Sequence, residues 1–244
     1  MSALLTVEPA AASLAAEVAP EEYLRLLGLP RRRPLAPDLA QRADGARSWY
    51  AEQARPRVVA RRLAVVAVEP AAVVVQSGER LSSRTLADRL RSGEARGLVG
   101  LGVTAGAEVD AEVDRLWRAD RPDEAYFLDR FAAAVAERLV YWAMAWACRL
   151  SEREGETVLP HLSPGCGDWE FEEQRSLMSL IASGEDAALV PLSMLDSGML
   201  RPKNSLLAAF GLTRGTVSPS PADACRDCGL DPCRFRRAPR RGAA

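Results

Sequence analysis

The sequence predicts an α+β fold, and three observations carry that prediction. From 122 to about 153, Phe127, Phe131, Val135, Leu139, Trp142, Trp146 and Leu150 fall at steps of three or four, which is one apolar face of a long helix. Apolar, β-branched runs at 58–68, 71–75 and 98–104 read as strands. Helices and strands mix without regular alternation, which argues against a doubly wound parallel sheet.

Taken in order, residues 1–20 are alanine-rich and read as a loose tail. They carry Glu8 and Glu17 and no positive leading cluster, so they do not read as a secretory signal. A short helix at 21–27 stops at Gly28 and Pro30, and 31–37 is a basic, proline-broken connector. A helix follows from 38 to about 54, ending before Pro56. The Glu69-Pro70 pair separates the first two strands, 85–91 is a short helix, and the strand at 98–104 is closed by Gly106. Pro122 suits the first turn of the long helix. Residues 157–162 look extended, Asp168 can cap a helix running to about 183, and 190–195 and 205–212 read as strands. The organisation is a flexible tail (1–20), helices and strands of the same domain (21–97), a core (98–215) and a loop-like, cysteine-containing tail (216–244).

Composition removes several function classes. The chain is 48% hydrophobic and 27% charged, an ordinary globular balance, and its 244 residues suffice for a sizeable core. A formal net charge of -1 gives no basic field that would call for nucleic acid. No apolar run has the length needed to span a bilayer, so neither membrane nor nucleic acid is an expected partner. The expected compartment is the cytoplasm, where thiols stay reduced and five cysteines point to metal binding or inert packing rather than disulfides. With a single histidine, His161, there is no His-based triad and no multi-histidine metal site. There is no P-loop, and the carboxylates are scattered. Conventional acid–base hydrolysis has no visible machinery, whereas cofactor-centred chemistry asks less of the protein.

Four stretches carry information. The first, 161–169, reads His-Leu-Ser-Pro-Gly-Cys-Gly-Asp-Trp. Pro164, Gly165 and Gly167 make a tight turn that exposes backbone N–H groups ahead of a helix, a junction suited to an anionic group; spacing alone fits a ligand-free strand-to-helix turn. The second, 195–205, clusters polar groups between two strands and by itself is an ordinary polar loop. The third is Cys225-x-x-Cys228-x-x-x-x-Cys233, followed by Arg234, Arg236 and Arg237. Three thiolates supply most of a zinc or iron–sulfur site, with Cys166 or an external ligand as a fourth; Cys148 reads as a packed hydrophobe. The fourth, Gly97, Gly100, Gly102 and Gly106, has the wrong spacing for a dinucleotide fingerprint and reads as a strand edge and turn.

Together, the first two stretches resemble a known pair. Residues 161–169 resemble the R-x-x-P-G-Y loop of the activation domain of cobalamin-dependent methionine synthase, in the form S-P-G-Y-G-D-W of free-standing relatives. Residues 195–205 resemble that family's T-E-S-x-x-M-x-P-x-x-S segment, with Asp196, Ser197, Leu200, Pro202 and Ser205 at matching places. Residues 103–110 look like its T-L-G-x-x-V-D stretch, Leu128-Asp129 and Glu137 like its L-D…E helix, and the C-terminal cysteines also have counterparts. The resemblance spans about 20–237 and is strongest over 98–213.

The resemblance implies a twisted, mainly antiparallel sheet flanked by helices. It also implies an activity: reactivation of a cobalamin-dependent methyltransferase by reductive methylation of Co(II) cobalamin. S-adenosylmethionine would be the methyl donor and a flavodoxin-like protein the electron donor. Nothing in the sequence resembles the homocysteine, folate or cobalamin modules, so the action would be in trans on a corrinoid partner. The backbone around Ser163, Pro164 and Gly165, with Asp196 and Ser197 opposite, would contact the ligand. Glu137, or Ala133 one turn earlier, would meet its amino group. Two departures stand out. His161 takes the place of an arginine, which loses a fixed charge-assisted contact. Cys166 takes the place of a tyrosine, which loses a hydroxyl and an aromatic wall. These departures leave open a non-catalytic docking partner of a corrinoid protein, and the cysteines an electron-transfer accessory.

Overall fold

The structure, a computed structural model, describes residues 3–29, 35–95 and 97–214. At its centre is a five-stranded antiparallel sheet in the order β1-β2-β6-β10-β7, formed by Leu4–Val7, Arg57–Leu63, Gly97–Thr104, Ser205–Thr213 and Thr157–Val158. The middle strand β6 is buried at every position, and antiparallel ladders run Gly102↔Leu207 on one side and Gly102↔Val59 on the other. A strand wet on neither face reads in sequence as a continuous apolar run, which is why 98–104 was legible. A meander of β3 (Val65–Glu69), β4 (Ala72–Val75) and β5 (Arg80–Leu81) and a hairpin of β8 (Ser193–Met194) and β9 (Leu200–Arg201) complete the strands.

Helices cover both faces of the sheet. On one face lie α1 (Ala11–Glu17), α2 (Pro20–Leu26), α3 (Pro37–Gln53), α5 (Ala107–Arg118) and α6 (Pro122–Ser151), around a core of Tyr23, Tyr50, Phe131, Leu139 and Phe210. On the other lie α4 (Arg84–Ser92) and α7 (Gln174–Ile181), around Leu86, Leu90, Trp169, Leu177 and Ile181. The predicted stripe of α6 forms much of the first core: Phe127, Phe131, Val135 and Leu139 are all buried. The mixed α+β class and the mainly antiparallel sheet are both present. Among the described residues, no helix is long and apolar enough to cross a membrane.

Several expectations are corrected. Residues 3–20 are not a loose tail: Leu4 to Val7 pair with Arg61 to Val58, and Leu14 is fully buried. Alanine-rich composition hid the strand and helix because small side chains give little periodic contrast. The run 58–68 is two strands in two sheets, since the chain leaves the main sheet after Leu63. Helix α5 passed unread despite Val109 and Leu116 facing the core. Gly97, Gly100 and Gly102 lie on a central strand rather than an edge, while Gly106 stands at the expected turn, ahead of α5. The strand expected at 190–195 shrinks to two residues.

Candidate functional site

Three of the stretches that carry the resemblance, 103–110, 128–129 and 195–205, meet at the loop between β9 and β10. The Lys203 backbone N–H donates to Asp110 Oδ2 at 2.8 Å, and the Lys203 ammonium lies 2.9 Å from Asp129 Oδ1. The Asn204 side-chain amide donates to the same Asp129 oxygen at 3.1 Å, and its backbone carbonyl accepts from Ala105 N at 2.9 Å. Asp129 is buried, and burial alone would raise its pKa. Hydrogen bonds from Arg130 and Lys203 outweigh that and hold the carboxyl below the usual range. Ala107, Asp110, Leu192, Ser193, Arg201 and Pro202 border a shallow cleft of about 400 Å³ beside this junction. None of the sequence-predicted ligand residues lines it.

The turn at 163–167 is built differently from its expectation. Gly165 and Gly167 take φ of +86° and +65°, which their lack of a side chain permits. Yet its amides turn inward: Gly165 N donates to Trp169 O at 2.7 Å, Cys166 N to Ser163 O at 3.0 Å, and Trp169 N to Cys166 O at 3.1 Å. No helix begins at Asp168, because α7 starts only at Gln174 after a single 3₁₀ turn. Asp168 instead caps α4, accepting from Arg84 N at 2.5 Å, Thr85 N at 3.1 Å and the Ser83 hydroxyl at 3.2 Å. Burial opposes ionisation of Asp168, but hydrogen bonds from Thr85 and Arg84 keep its pKa lowered. The turn is thereby pinned to a neighbouring helix by a carboxylate. Trp169 beneath it is fully buried, and among the described residues its indole N–H has no hydrogen-bond partner.

Asp196 and Ser197 occupy the exposed tip of the β8–β9 hairpin, which closes through Gly198 N to Leu195 O at 2.9 Å. The tip is tied to α7: Gln174 Nε2 donates to Gly198 O at 2.7 Å, and Arg175 donates to Asp196 O. Phe171, which sequence reasoning missed, lies between this tip and the 163–167 turn. A methyl group placed on Gly165 would stand 3.6 Å from Phe171 Cδ2, and one on Gly198 3.2 Å from Cε1. The only signal in the sequence was a lone aromatic among acids, Glu170-Phe171-Glu172-Glu173.

The remaining predicted residues lie against α6. Glu137 on α6 forms an ion pair with the buried Arg25 of α2. One turn along, the Tyr141 ring meets the His161 ring edge-on at 5.1 Å between centroids. Cys166 packs at the edge of the α4/α7 core, whereas Tyr141 packs against the α6 core. The structure thus joins Ser163, Pro164, Gly165 and Cys166 to Asp196 and Ser197 through Phe171. Glu137 lies on α6, and Tyr141 one turn along joins that helix to His161 at the start of the same loop. Among the described residues, no group of three or more His, Cys, Asp or Glu could hold a metal ion. Cys225, Cys228 and Cys233 lie outside the described residues. Cys148 is half-buried, with Sγ 3.5 Å from Thr157 Oγ1, as befits a packed thiol.

No protein-family model matches the chain, and no curated protein matches it. Its fold is nonetheless that of a solved structure, the crystal structure of the MetH reactivation domain bound to AdoHcy: the two share 14% identity at a TM-score of 0.66, over 92% of this chain and 84% of that one.

Proposed function

We propose that this chain binds S-adenosylmethionine and serves, in trans, as the reactivation component of a cobalamin-dependent methyltransferase of the methionine synthase type. The observation that carries the reading is the shared fold: 92% of the chain follows a domain crystallised with AdoHcy, the demethylated product of that donor. Four sequence stretches that resemble the same family, three of them joined at the Lys203–Asn204 loop, support it.

The residues present suit an amino-acid-bearing nucleoside. Glu137 offers a partly exposed carboxylate for an ammonium group, with the half-buried His161 imidazole near it along α6. The turn at 163–167 is held rigid by Asp168, so backbone atoms there keep fixed positions. S-adenosylmethionine, when bound, supplies a methyl group whose departure leaves a neutral thioether, so no general acid is needed. That agrees with the poverty of acid–base groups, and leaves the chain the task of orientation. A corrinoid protein and a flavodoxin-like electron donor, met in the cytoplasm, complete the proposal.

The test is calorimetric titration with S-adenosylmethionine and S-adenosylhomocysteine, then anaerobic incubation with a Co(II) corrinoid protein and a reductant. Binding of both nucleosides and growth of the methylcobalamin spectrum are expected. Absence of binding, with and without the corrinoid protein, overturns the proposal. A non-catalytic docking role is the second reading, and the inward-turned amides of Gly165, Cys166 and Trp169 favour it. Complex formation without methylcobalamin growth selects it.

A further inference from the structure

The Phe171 ring lies between two glycine turns. A Cβ placed on Gly165 would stand 3.6 Å from Cδ2, and one placed on Gly198 would stand 3.2 Å from Cε1 and 3.9 Å from Cζ. Cδ2 and Cε1 are para to each other, so the two turns lie toward opposite edges of the ring. Packing against the edges leaves the faces as the accessible part, and Phe171 is 44% exposed. Both turns are fastened to the segment that carries the ring, Gly165 N to Trp169 O at 2.7 Å and Gln174 Nε2 to Gly198 O at 2.7 Å. The space on either side of the ring is thereby bounded, which reduces the entropy lost on stacking against it. Both glycines have φ near +85°, at +86° and +85°, and neither carries a side chain to cover the ring.

Such an arrangement serves as a stacking platform bordered by backbone that carries no side chains. We infer that Phe171 is a specificity-determining residue that stacks on the adenine of the bound nucleoside; this rests on the proposed S-adenosylmethionine binding. The aromatic face lost at Cys166, where the resembled motif has tyrosine, is supplied five residues later from the 3₁₀ turn at Phe171–Glu173. A heteroaromatic base fits this platform better than an aliphatic group, because aromatic faces attract one another through offset stacking.

The experiment titrates the full chain and its Phe171→Leu and Phe171→Tyr variants with adenosine, S-adenosylmethionine and S-adenosylhomocysteine, with thermal melting as the check on folding. Phe171→Leu keeps apolar bulk, so its melting should match the parent while affinity for all three ligands falls about tenfold. Phe171→Tyr keeps the ring and should bind within about twofold of the parent. Equal binding by Phe171→Leu and the parent overturns this inference and leaves the proposed function standing. A parent chain that binds none of the three overturns the proposed function, and this inference with it.

Discussion

The Lys203 ammonium stands 2.9 Å from Asp129, a carboxylate on α6 that is only 6% exposed. The contact clasps the loop leading into β10 against the long helix. Because the folded protein holds the Asp129 pKa below its ordinary value, the clasp contributes fully at neutral pH. Its contribution fades as pH falls below about 4, where the unfolded chain's aspartate takes up its proton first. Asp129→Asn should therefore cost about 2 kcal/mol near pH 7, a value reduced by the half-exposed lysine partner. Urea unfolding at neutral and acid pH checks this: the gap between variant and parent should narrow in acid. A gap that stays constant would show that charge plays no part.

Asp168 fixes the 163–167 turn to α4 through Arg84 N and Thr85 N. Asp168→Ala removes that anchor and should cost about 1 kcal/mol, the usual size of a lost helix cap. Thermal unfolding measures the stability. Ligand titration should show a further loss, since the turn's backbone would no longer be held in place. An unchanged affinity would separate the turn from the binding site.

How much of this could be read from sequence follows from the physics of each element. Helix α6 was legible because Phe127, Phe131, Val135 and Leu139 repeat at helical spacing against one core. Strand β6 was legible because both its faces are covered, so no polar alternation interrupts it. The amino-terminal strand was not, because its pairing with β2 is set by tertiary contacts across more than fifty residues, and α1 takes its place by packing on α3. The site split along the same line. The turn glycines were visible as composition, whereas Asp168 reaching back to α4 is a long-range contact that no local pattern encodes. Phe171 passed unread because exposure and neighbouring backbone, not sequence spacing, give it meaning.

Two glycines predict opposite outcomes of adding a side chain. On β6, a Cβ at Gly102 would lie 2.6 Å from Leu192 Cδ1 and 3.0 Å from Val59 Cγ2. Gly102→Val should thus cost about 3 kcal/mol through overpacking. On α3, a Cβ at Gly45 meets nothing within 4 Å. Gly45→Ala should raise stability by up to about 1 kcal/mol, by lowering the entropy of the unfolded chain. Urea midpoints compare the two; a destabilised Gly45→Ala would contradict the open space seen there.

Glu137 pairs with Arg25 inside the protein, and the proposed function gives it a second task, to meet a ligand ammonium from outside. The guanidinium of Arg25 is buried between α2 and α6, whereas Glu137 is partly exposed. Glu137→Gln removes the charge opposite a buried cation, which should cost about 3 kcal/mol and also weaken S-adenosylmethionine binding. Arg25→Met separates the two roles. It replaces the cation by an apolar side chain of similar length, which costs less than breaking a buried pair from one side. It also removes Arg25 as a competitor for the carboxylate. Titration should find affinity in Arg25→Met equal to or above the parent, while Glu137→Gln loses at least about tenfold, the value of one charge-assisted hydrogen bond. Equal affinity in all three proteins would confine Glu137 to holding α2 on α6, and move the ligand's ammonium group elsewhere.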